Sequence, residues 1–146
     1  MGYYSRLSGS IEFDPPLKWS EIKDSPYMMK PGDYNFGPCV CLEVAEREVE
    51  TEYGTAIFKV GTGLIPSFED ERKCYSLEDD LSKFAQTHGL LNTTGTPQAT
   101  GEIVRSGEES GDVERFWFDR FGTLHSEEAE LRWPDGTLVE KYYYEL

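Results

Sequence analysis

Apolar residues recur at helical spacing over only one long stretch of this chain. Ser76 opens it, Leu77, Leu81, Phe84, Ala85 and His88 follow on one face, and Gly89 supplies the residue that most readily ends a helix. Ser76-Leu77-Glu78-Asp79 reads as a capping box with Asp in place of the usual Glu. Most of the remaining chain alternates, which is the period of half-buried strands. Leu7, Gly9, Ile11 and Phe13 alternate with Ser8, Ser10 and Glu12 until Asp14-Pro15-Pro16, where the strand is expected to stop. Lys18 to Ile22 predicts a brief helical turn with Trp19 and Ile22 on one face. The loop from Ser25 to Pro38 carries Tyr27, Tyr34 and Phe36 and should pack down on the core.

Further on, Val40, Leu42 and Val44 alternate with Cys41, Glu43 and Ala45, and the run from Thr55 to Val60 returns across a Tyr53-Gly54 turn, giving a hairpin with an acidic outer half. After the polar loop from Asn92 to Pro97, strands are predicted over 100–105, 113–119 and 123–133. The last turns through Pro134-Asp135-Gly136 into a returning strand over 137–144. Strand, short helix, two strands, longer helix, strand and meander is the order of an α+β fold. It predicts a ferredoxin-like split βαβ unit with an antiparallel C-terminal strand extension, predominantly β with one clear helix. All 146 residues are read as a single domain, a length at which roughly two-thirds of the unfolded surface is buried.

Charge decides which partners are plausible. Against 14 Lys+Arg stand 28 Asp+Glu, a formal net charge of −14. Such a surface repels phosphate backbones and anionic lipid, and no basic patch offsets it, so direct binding to nucleic acid or membrane is not expected. No apolar stretch approaches the roughly 20 residues that cross a bilayer. Cys39, Cys41 and Cys74 cannot all pair and no secretion signal opens the chain, which argues for a reducing, cytoplasmic setting.

Motifs that carry chemistry are scarce. Glu43, Glu46, Glu48, Glu50 and Glu52 fall at mostly even spacing, so they project from one strand face about 7 Å apart. Such a row can bind Mg²⁺ or imitate phosphates. As a plain solvated face it blunts an edge against aggregation. Asp70-Glu71-Arg72-Lys73 contains the Glu-x-Lys step of some metal-dependent nucleases, but a charged run before a helix explains it better. His88 and His125 sit in no recognisable nucleophile spacing, and His88 falls where a cation would favour the helix dipole. Cys39 and Cys41 lack the partners of a zinc site and read as small core residues. Ser106-Gly107-Glu108-Glu109-Ser110-Gly111 precedes a strand rather than a helix, so it reads as a mobile hairpin tip and not a phosphate loop. Phe116 and Phe118 share one strand face and Trp117 takes the other, while Tyr142, Tyr143 and Tyr144 must likewise divide; rings left uncovered would be interface material.

Gly2-Tyr3-Tyr4-Ser5, Ser8-Gly9, Pro15-Pro16, Trp19, Glu21-Ile22, Gly101-Glu102-Ile103, Gly107-Glu108-Glu109, Gly111-Asp112 and Leu131-Arg132-Trp133-Pro134-Asp135-Gly136-Thr137 resemble an uncharacterised family of small proteins from actinobacteria and their phages. That family has no assigned activity, so the resemblance implies no catalytic residue. It implies a phage or prophage product acting in a bacterial cytoplasm. The expectation is a non-enzymatic, acidic protein-binding module, an inhibitor or modulator of a host protein with a basic surface, with neither cofactor nor metal. Glu46, Glu48, Glu50, Glu108, Glu109, Asp112 and Trp117 are the expected contacts. A metal-dependent enzyme or small-ligand binder built on a carboxylate cluster is the alternative, and a virion or assembly component a second. The oligomeric state is left open.

Overall fold

The first strand, β1 (Tyr4–Lys18), is the spine of the molecule. The computed structural model describes residues 2–29, 37–91, 94 and 97–139. After β1 come α1 (Trp19–Ile22), β2 (Val40–Thr51), β3 (Gly54–Pro66), β4 (Arg72–Lys73), α2 (Leu77–Thr87), β5 (Gln98–Gly107), β6 (Val113–Phe118) and β7 (Leu124–Glu128). The strands form one seven-stranded sheet in the order β2-β3-β1-β5-β6-β7, with β4 also on β1. Every pair is antiparallel.

Mostly β with one substantial helix is therefore right, but the ferredoxin-like βαβ arrangement is not. That arrangement needs parallel strands joined by helical crossovers, whereas β3, β5 and β4, the strands paired with β1, all run against it. Length does not forbid a crossover, since residues 19–39 separate β1 from β2 and about a dozen suffice; the pairing does, because a tight turn folds β3 straight back along β2 and onto β1.

β1 also continues through Pro15 and Pro16, where the sequence predicted its end. The register between β1 and β3 shifts between Glu12 and Leu17, so both prolines lie where no ladder bond to β3 is required of them. On the other side, β5 pairs with β1 without a break from Ser5↔Gly107 to Asp14↔Gln98.

One face of the sheet carries the core. Leu7, Ile11, Phe13 and Leu17 of β1 meet Val40, Leu42, Leu64, Ile103, Phe116 and Phe118 there, and α2 adds Leu77, Leu81, Phe84 and Ala85, the helical stripe read from the sequence. Phe84 stacks on Phe13 with centroids 5.6 Å apart and meets the edge of Tyr27 at 5.0 Å. Each such fully buried side chain contributes roughly 1.5–3 kcal/mol. Tyr27 anchors its loop as expected, its hydroxyl donating to the Asp80 carbonyl at 2.7 Å; Tyr34 and Phe36 lie outside the described residues. The opposite face bears Ser8, Ser10, Glu12, Thr100 and Arg115, all exposed.

Two expectations about α2 change. Ser76 makes no capping bond to the helix backbone; its hydroxyl donates to the Asp80 carboxylate at 2.9 Å, while Asp79 pairs with Lys83 at 2.9 Å. His88 is half-buried against Phe84, with Nε2 2.8 Å from Ser25 Oγ. Burial holds its pKa below the usual value, a small upward pull from Glu21 notwithstanding, so it is no dipole-stabilising cation.

The cysteines overturn a further expectation. Cys39 and Cys74 form a disulfide with Cα atoms 6.2 Å apart, so Cys39 is not an unpaired core residue, and the cysteine count no longer argues for a reducing setting. Cys39 is delivered to Cys74 because its backbone N–H donates to Asp80 at 2.8 Å, which docks the start of β2 against α2. The thiol left over is Cys41, buried within β2 and pushed up to about 11 by that burial, then by Glu43.

Near the C-terminus, β7 ends at Glu128. The Asp135-Gly136 turn does form, closed by Gly136 N–H to the Trp133 carbonyl at 2.8 Å. Beyond it only an isolated bridge, Arg132↔Leu138, stands in for the predicted returning strand among the described residues. Tyr142, Tyr143 and Tyr144 lie outside them.

Candidate binding arm

The far half of the β2–β3 hairpin leaves the sheet. β1 stays paired with β3, across its register shift, as far as Lys18↔Val60 and then turns into α1. Beyond that point Glu46–Thr51 and Gly54–Lys59 pair only with each other among the described residues, a two-stranded arm about 20 Å long. Its loop is Glu52-Tyr53, one residue earlier than the sequence predicted. Thr51 Oγ1 donates to the Gly54 carbonyl at 2.6 Å and accepts from Tyr53 N–H at 3.2 Å. Gly54, at φ 128°, takes the conformation that a side chain would strain. Tyr53 at the tip is 93% exposed.

Period two gives the arm two unlike faces. Glu46, Glu48 and Glu50 share the face that continues the core side, opposite Lys59, Ile57 and Thr55. Lys59 anchors the root of this row, 3.5 Å from Glu46 and 4.9 Å above the Trp19 ring. Thr55 donates to Glu50 at 2.9 Å, and Glu48 faces the exposed Ile57. The reverse face carries Ala45, Arg47 and Val49 across from Val60, Phe58 and Ala56. There the Arg47 guanidinium lies 5.7 Å from the Phe58 ring centre, beside a shallow depression of about 320 Å³ bounded by Ala45, Arg47, Phe58 and Val60. Glu43 falls on this reverse face and Glu52 in the loop, so only three of the five glutamates form the row.

The other expected contacts do not join it. Glu108, Glu109 and Asp112 lie in the β5–β6 turn, next to the Ser5↔Gly107 pair at the opposite end of β1. That separates them from the arm by on the order of 40 Å along the strands. The turn is held rather than loose. Tyr3 donates its hydroxyl to Asp112 and accepts from the Glu109 N–H, and Gly107 N–H donates to the Asp112 carbonyl at 2.8 Å. Arg105 donates to Asp112 at 2.8 Å and lies 3.5 Å from Glu114, which raises its already high pKa. Asp112 is thus a structural clamp, and only Glu108 and Glu109 remain exposed.

Trp117 lies on the open face of β6, opposite His125 of β7 and away from both acidic segments. His125 stacks on it with centroids 5.6 Å apart and places Nε2 2.8 Å from Asp119. Asp119 also accepts from the N–H groups of Phe121 and Thr123, and these bonds, that from His125 foremost, hold its carboxyl below the usual range. Arg115 lies 5.0 Å from the Trp117 ring centre, between Glu102 at 3.6 Å and Glu127 at 3.2 Å. Arg115, Trp117, Glu102 and Thr100 border an open depression of about 530 Å³. Phe116 and Phe118 share the other face, as expected, and are buried there.

Among the described residues no group of three or more His, Cys, Asp or Glu side chains is placed to hold a metal ion. The Glu-x-Lys step is structural: Arg72 pairs with Asp70 at 2.6 Å, Glu71 with Arg6 at 3.6 Å, and β4 seals against Tyr4 and Ser5. Among these residues no helix is long and apolar enough to cross a membrane. The reverse face of the arm escaped the sequence reading, although Ala56, Phe58 and Val60 alternate visibly; the acidic row drew attention to one side only. No curated protein and no solved structure matches the chain. A family model does match it, over residues 1–141, and the chain belongs to that family, described as a family of unknown function (DUF6205).

Proposed function

We propose that this chain is a non-catalytic binding protein that docks its acidic arm on a protein with a basic surface, acting as a phage- or prophage-encoded modulator of a host factor. One observation carries the reading: Glu46, Glu48 and Glu50 stand in a row on a ribbon that projects beyond the core and supports no other strand among the described residues. Complementary charge would speed the encounter and make it salt-sensitive. The exposed Phe58, Ile57 and Tyr53 supply apolar anchor area on the same arm, the part that Trp117 had been expected to play.

The test is affinity capture from an actinobacterial lysate with the wild-type chain and with E46Q/E48Q/E50Q, at low and raised salt. A stoichiometric partner held by the wild type, released by salt and missed by the triple variant supports the reading. Equal capture by both proteins overturns the assignment to the arm.

A further inference from the structure

We propose that the outer edge of β2 along the arm takes up an extended partner segment by strand addition, the segment carrying Lys or Arg at every second position and apolar residues between. This deepens the reading above and rests on it, naming the shape of the basic partner as well as its charge.

The edge itself argues for it. At the core end Leu42 N–H donates outward to the Tyr27 carbonyl at 2.9 Å, so the preceding loop closes β2 there. Beyond that bond no described residue pairs with the outer edge of β2. A two-residue loop makes its flanking pair, here Thr51↔Gly54, the one that exchanges both bonds, and hydrogen-bonded and open pairs then alternate. Glu46, Glu48 and Glu50 fall on open pairs, so their backbone N–H and C=O groups point outward, ready for another strand. The backbone that offers the bonds thus belongs to the residues that carry the charges.

A strand added here sets one residue opposite each glutamate, on the same face, with Cα atoms about 5.5 Å apart. Lys or Arg at those positions makes favourable cross-strand pairs, whereas like charges are destabilising. The residues between them fall on the reverse face beside Val49 and the Phe58 depression, which favours apolar side chains. Charge also rejects a second copy of this chain, because pairing β2 with itself about Glu48 would set Glu46 against Glu50 and Glu48 against its own counterpart.

The experiment is residue-resolved amide hydrogen exchange on the full chain, alone and with acetyl-Lys-Val-Lys-Val-Lys-Val-Lys-amide, using as control the same peptide N-methylated at its lysine amides. Strand addition slows exchange at Glu46, Glu48 and Glu50 at least about tenfold with the plain peptide and not with the methylated one. Equal effects of the two peptides, no slowing with either, or protection of these three amides before peptide is added would each overturn it. Binding that survives N-methylation but is lost in E46Q/E48Q/E50Q removes strand addition and leaves the acidic-arm reading standing. Binding indifferent to the triple variant removes both.

Discussion

The carboxylate of Asp80, in the first turn of α2, accepts the backbone N–H of Cys39 at 2.8 Å and the hydroxyl of Ser76 at 2.9 Å. One side chain thereby ties the start of β2 to the helix that covers it. Burial raises its pKa, opposed by those two bonds. Asp80→Ala leaves a buried N–H unpaired and should lower stability by about 1–3 kcal/mol in urea denaturation. Asp80→Asn keeps a carbonyl acceptor and should cost less; equal losses would show that the bond to Cys39 does not matter.

The Cys39–Cys74 bridge spans 35 positions of sequence. Closing a loop of that length removes unfolded-state entropy worth at most about 4 kcal/mol. The double variant Cys39→Ala/Cys74→Ala should unfold about 2–4 kcal/mol more easily than the oxidised protein, while a thiol count in denaturant should find one free thiol without reductant and three with it.

His88 makes stability depend on pH with a definite sign. Its folded pKa lies below its ordinary value of 6.5 because burial disfavours the cation, so the unfolded chain binds the proton more readily. The contribution is complete above that ordinary value and is lost as pH falls through it towards the folded pKa. Melting curves should show the wild type losing stability relative to His88→Gln between about pH 7.5 and 5.5. A constant difference between the two proteins across that range would contradict the burial argument.

Gly101, at φ 97°, faces Ile11 across the β1–β5 ladder, and a Cβ there would sit 2.3 Å from the Ser10 carbonyl oxygen. Both the positive φ and the contact forbid a side chain. Gly101→Ala should cost at least about 2 kcal/mol, whereas Gly136→Ala, in an open turn with nothing within 4 Å, should cost less because only its φ of 92° is strained. Thermal melts of the two variants rank them.

Local periodicity was easy to read in the sequence. The stripe Leu77, Leu81, Phe84 and Ala85, the short turn at Trp19 and Ile22, and the opposite facing of Phe116 and Trp117 all stand where the spacing put them. Failures came where distant chain segments decide the outcome. Which strands lie beside β1 depends on connection geometry that alternation does not encode, and the Cys39–Cys74 pairing depends on Asp80 drawing two remote segments together. For the candidate site, the alternation of Glu46, Glu48 and Glu50 was legible, but not that β1 would turn away at Lys18 and leave them on a free-standing ribbon. Nor could the sequence show that Asp112 is occupied by Tyr3 and Arg105.

Because the core lines one side of the sheet only, the strands carry two messages interleaved residue by residue. Leu7, Ile11 and Phe13 answer to packing, while Ser8, Ser10 and Glu12 between them answer to solvent alone. Substitutions in the second set, with Thr100 across the ladder, can accumulate without disturbing the first. Half of this surface is therefore free to acquire new recognition chemistry at little cost to the fold.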